Sequence, residues 1–139
     1  MSYEEKGIWV YLVVTIATFT GFVAIVLRDA AGGPLAAVDY LPTLLWSIGI
    51  SIGAAIIGRV LVEVVRPSDS YTTDSRDRDI NRRGEHIGGL VLGIGMVGPF
   101  VLAVLEADHF WIVSAMFATF TLYAVVGSIV KLVAYRRGM

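Results

Sequence analysis

Cysteine is absent from the chain, which excludes disulfides, thiolate metal ligands, cysteine nucleophiles and cysteine-attached haem. Charge is scarce as well. Asp, Glu, Lys and Arg make up 17% of the residues and hydrophobic residues 56%, whereas an average soluble domain has about 25% charged residues. The formal net charge of −1 leaves no basic stripe of the kind that phosphate backbones require, so a nucleic-acid partner is excluded. The two histidines, His86 and His109, stand at opposite ends of one apolar run, roughly 35 Å apart along a helix. That distance excludes bis-histidine haem within one copy, and no cofactor is expected.

What the chain does contain is four stretches without any charge: Gly7 to Leu27, Tyr40 to Gly58, Ile87 to Leu105 and Phe110 to Val130. Each is about 19 to 21 residues long, and about 20 apolar residues span a hydrocarbon core. Four such runs leave too few polar residues to cover them in water. The expected fold is therefore all-α, a polytopic membrane protein with four transmembrane helices arranged as two hairpins in one domain, 1–139. The helices are placed at about 7–27, 41–65, 87–105 and 110–133, with a polar loop over about 67–85. The first run reads as a retained helix rather than a cleaved signal. Its flank, Met-Ser-Tyr-Glu-Glu-Lys, is acidic, and Arg28-Asp29 makes a poor cleavage site.

Sidedness follows from lysine and arginine, which resist translocation. Arg66, Arg76, Arg78, Arg82 and Arg83 lie in the polar loop, and Lys131, Arg136 and Arg137 near the C-terminus. The first loop has Arg28 alone, and Glu106-Ala-Asp-His109 has neither lysine nor arginine. Both termini and the polar loop are expected in the cytoplasm (N-in, C-in). Trp9, Tyr11, Tyr40, Trp46, Phe110 and Trp111 fall near the run ends, where amphipathic rings favour the interface.

In lipid, helices associate through close backbone approach. Gly49 and Gly53, Gly84 and Gly88, and Gly89 and Gly93 are each four apart. The third helix is the richest in glycine and is expected to be central and tightly packed; Pro99 frees the carbonyl near Gly95, which leaves a kink or a break open there.

Three groups of polar residues are candidate sites. Arg59 and Glu63 lie on one face of the second helix, and Lys131 lies at similar depth on the fourth. An intramembrane ion pair among them is the expected reading, since ionisable groups at that depth are costly alone; a proton-coupled Glu63 is the functional alternative. Glu106, Asp108 and His109 cluster in sequence and are weak metal-ligand candidates at a turn otherwise read as solvated. In the polar loop, Asp74 with Arg78 and Asp79 with Arg83 have helical spacing and support a short charged helix leading into the third span. Its arginines are balanced by Asp69, Asp74, Asp77, Asp79 and Glu85, which argues against a polybasic lipid switch.

The run Asp74-Ser-Arg-Asp77-Arg-Asp-Ile80 resembles an Asp-Glu-Arg-Asp-x-x-Ile motif of uncharacterised small four-helix bacterial membrane proteins, with serine here in the place of glutamate. Glu106-Ala-Asp-His-Phe-Trp111 and the ending Tyr135-Arg-Arg-Gly138 are similar to actinobacterial members of that kind. The resemblance covers most of the chain and implies a bacterial cytoplasmic membrane location; it carries no activity. No nucleophile–base pair can be placed in the helices, so an enzyme is not the expectation. The leading reading is an accessory, regulatory or scaffolding membrane protein whose partners are the bilayer and a second copy or another membrane protein. A small oligomeric proton- or ion-coupled transporter or channel using Glu63 is the alternative, and an outer-face metal site or membrane enzyme the third.

Overall fold

A peptide group in hydrocarbon must satisfy its own hydrogen bonds, and an α-helix does so within one segment. The computed structural model describes residues 3–67 and 74–138, and these form helices joined by turns, with no strand among them. α1 runs Tyr3–Ala30, α2 Leu41–Val65, α3 Ser75–Gly95, α4 Val97–Val104 and α5 His109–Arg136. With α3 and α4 counted as one span, four helices are long and apolar enough to cross a membrane. Large apolar side chains face outward along them, Trp46 at 72% exposed and Ile94 at 75% among them. This is the surface of a multi-pass membrane protein rather than of one folded against water.

The helices form a row. α2 packs on α1, α1 on α5, and α5 on α3 and α4. The inner helices are therefore α1 and α5 and not the glycine-rich third span, which is the one expected there. The glycines explain why. A Cβ on Gly84 would meet the Gly127 carbonyl of α5 at 3.0 Å, and one on Gly88 would meet the Tyr123 ring at 3.1 Å, so these two positions bring α3 close to α5. Gly89, Gly93 and Gly98 have nothing within 4 Å. Gly49 and Gly53 of α2 are equally open, and contact with α1 is made instead by Gly58, where a Cβ would lie 3.0 Å from Val10.

The third span begins at Ser75, well before its apolar run. Asp74 is the N-cap: its carboxylate accepts from the Asp77 amide at 2.8 Å, and the Asp77 carboxylate accepts from the Asp74 amide at 3.2 Å. This reciprocal box satisfies two of the donors that a helix start leaves open. The expected polar loop is therefore helical from Ser75 onward, while Asp69 lies outside the described residues. Further along, the helix is interrupted at Met96. Pro99 has no amide to offer the Gly95 carbonyl, and the Thr119 hydroxyl of α5 stands 3.3 Å from that oxygen and 2.8 Å from the Ala115 carbonyl, one proton serving both.

The two ends of the row differ in kind. At one end Phe22, Val26, Leu44 and Phe110 form a buried cluster under the 3-10 turn Leu35–Ala37. Phe117 meets Phe22 at 5.1 Å and Phe19 at 5.4 Å between ring centroids, and Tyr40 meets Phe110 edge-on at 5.4 Å. Such contacts add about 0.5–1.5 kcal/mol each beyond their buried area. At this end α4 closes onto α5 through Glu106, a left-handed residue with φ 57°. Ala107 and Glu106 donate to the Leu102 and Ala103 carbonyls at 3.0 and 3.1 Å, the paired bonds of a helix-terminating turn that usually holds glycine. The other end is polar.

Candidate functional site

The polar end is assembled from the start of α1, the last turns of α2, the first turns of α3 and the last turns of α5. Lys6, on α1, is 7% exposed. Its ammonium lies 3.4 Å from Glu63 Oε1 on α2 and donates to the Arg66 carbonyl at the end of that helix. A lysine at this point answers both a carboxylate and the negative end of the helix dipole. Across the row, Lys131 of α5 donates to Glu85 Oε1 of α3 at 2.7 Å, and the Tyr123 hydroxyl donates to the other carboxylate oxygen.

The expected ion-pair set of Arg59, Glu63 and Lys131 is thus divided. Glu63 is held by Lys6, Lys131 by Glu85, and the Arg59 guanidinium lies over the Tyr3 ring, 4.1 Å from its centroid. Spacing along α2 put Arg59 and Glu63 on one face but did not show which helix lies against them. Gly7 makes the room: a Cβ there would stand 2.8 Å from the guanidinium carbon. Sequence reasoning missed Lys6 and Glu85. Lys6 stands in an acidic flank and Glu85 among the balanced charges of the polar loop, and neither position names a partner. The usable signal was the cost of a lone charge at a membrane edge, which predicts a partner for each without saying which.

The segment that carries the resemblance is built into the same end. Asp77 is 9% exposed and Ile80 is 4% exposed. The Tyr135 hydroxyl donates to Asp77 Oδ1, and Arg76 Nη2 donates to the Tyr135 carbonyl at 3.0 Å while its guanidinium lies 5.4 Å from that ring. Arg136 Nε reaches Glu5 Oε1 at 3.6 Å, which ties α5 to α1. Each named position of Asp74-x-Arg76-Asp77-x-x-Ile80 therefore has a task. Asp74 caps α3, Arg76 and Asp77 grip the end of α5, and Ile80 is buried. The run docks a helix, and its grip falls on Tyr135 of α5.

No protein-family model matches this chain, and no curated protein or solved structure matches it either.

At the opposite end, Glu106, Asp108 and His109 are exposed, with Asp108 at the N-cap of α5 and His109 its first helical residue. Among the described residues no group of three or more His, Asp or Glu side chains is arranged to hold a metal ion. His86, too, is exposed, on α3. The polar end holds Lys6 with Glu63 and Lys131 with Glu85 as ion pairs. Chemically it can fix helices together and bind ions or headgroups.

Proposed function

We propose that this chain is a non-catalytic scaffold of the bacterial cytoplasmic membrane, acting by helix packing with a second copy or another membrane protein. One observation supports this above the rest: both edges of the row are unfilled. α2 ends one side with Gly49 and Gly53 open, and α3 ends the other with Gly89 and Gly93 open. Small residues spaced four apart let a neighbouring backbone approach closely in lipid. The polar end, where arginine is concentrated, is proposed to face the cytoplasm with both termini; the resemblance of the Asp74–Ile80 run supports the bacterial setting.

The transport reading depended on Glu63 as a coupling carboxylate. With Lys6 at 3.4 Å, Glu63 is already paired, and it lies at the end of α2 rather than at mid-depth. That geometry favours a staple over a carrier. The test is the mass of the full-length protein in lipid nanodiscs over a range of protein-to-lipid ratios. The scaffold reading expects a defined dimer or larger species, shifted to monomer by at least tenfold in apparent association when Gly49 and Gly53 are both replaced by leucine. A monomer at every ratio, together with ion flux in liposomes, would contradict it.

A further inference from the structure

Among the described residues, Arg59 at the polar end is shut into the protein with no carboxylate beside it. Lys6 answers Glu63 and Glu85 answers Lys131, but Arg59 has the face of Tyr3 and no carboxylate. Its Nε is shut off from solvent with no acceptor among the described residues. The planar fork of N–H groups on an arginine matches the oxygens of a phosphate.

Two cavities meet at that guanidinium. The larger, about 710 Å³, is walled by Tyr3, Ile56, Arg59, Val60, Glu63 and Val64. The smaller, about 300 Å³, sets Arg59 beside Tyr11, Ser128 and Lys131, but also beside Glu4. A phosphate is favoured on the larger side, where Glu63 is paired with Lys6. The larger wall is also hydrocarbon, with Ile56 63% and Val60 57% exposed. Arg59 lies six residues before the end of α2 at Val65, roughly 9 Å along the axis, a depth at which a long side chain reaches the headgroup level. A free phosphate would use the guanidinium and leave the apolar wall bare; a phospholipid uses both.

We propose that Arg59 binds the phosphate of an anionic phospholipid whose hydrocarbon lies against Ile56 and Val60. The probe is phosphatidylglycerol titrated onto the purified full-length protein and read by native mass spectrometry, with phosphatidylcholine and inorganic phosphate as the other arms. One phosphatidylglycerol should be retained in preference to phosphatidylcholine. Arg59→Gln should weaken that binding about five- to tenfold, the effect of one basic residue at a lipid surface. Arg28→Gln, which removes a charge already beside Asp29 at the other end, should leave it unchanged. Ile56→Trp, which fills the groove and keeps the arginine, should weaken it too, and it carries the test if Arg59→Gln does not fold. Equal retention of the two lipids, unchanged binding in a folded Arg59→Gln or Ile56→Trp protein, or competition by inorganic phosphate at the lipid's own concentration would each overturn the proposal.

Discussion

Lys6 shows how much rests on one side chain. It is nearly buried and bonded to both the Glu63 carboxylate and the Arg66 carbonyl, so replacing it leaves a carboxylate and a helix end without their donor. Breaking a buried pair from one side costs about 3–5 kcal/mol, while replacing both partners with apolar groups costs far less. Lys6→Met should lower stability by about 3 kcal/mol in a detergent-unfolding titration, and the Lys6→Met/Glu63→Leu double variant should recover most of it. A double variant as unstable as the sum of the two single ones would show that the pair does not couple. This partnership was not legible in the sequence. The helix spacing of 3.6 residues tells which residues share a face on α2, and it carries no information on what a distant helix brings to that face.

At the scale of the element, the interrupted third span is the clearest case. Pro99 left a kink or a break near Gly95 open in the sequence, and the structure has an interruption at Met96. The sequence did not show that Thr119 would supply a donor to the freed carbonyl, nor that Gly95 must lack a side chain to let it in. A Cβ on Gly95 would stand 2.8 Å from Thr119 Cγ2. Gly95→Ala should therefore destabilise by about 1–3 kcal/mol, as overpacking does. Gly93→Ala, in open space two residues earlier, should cause no loss and gain up to about 1 kcal/mol from helix propensity. Thermal unfolding of the two variants in the same detergent separates them, and equal losses would contradict the close approach of α3 and α5. The start of α3 was half legible. Helical spacing of its charges suggested a short helix, but the Asp74–Asp77 box and the grip on Tyr135 make it one continuous element with the span.

For the whole molecule, the charge-free runs carried the four-span all-helical architecture, because length and apolarity alone decide whether a segment suits a bilayer. They did not carry the order of packing. Glycine abundance pointed to the third span as the centre, yet only Gly84, Gly88 and Gly95 face α5 closely, and α5 touches neighbours on both sides. Counting small residues does not say which face they occupy. The resulting row, closed by aromatic rings at one end and by ion pairs at the other, has two open edges, and both the proposed self-association and the proposed lipid contact follow from that asymmetry.

The chain lacks cysteine, so single cysteines can report sidedness without background. The most direct test of the central claim is labelling of Ala36→Cys, Ala107→Cys, Arg78→Cys and Arg137→Cys in intact cells and in inverted membrane vesicles, using a membrane-impermeant maleimide. Four spans with the polar end inside predict that the Ala36 and Ala107 positions react only from outside and the Arg78 and Arg137 positions only from the cytoplasmic face. Labelling of all four from one side, or recovery of the protein in the soluble fraction, would contradict the account.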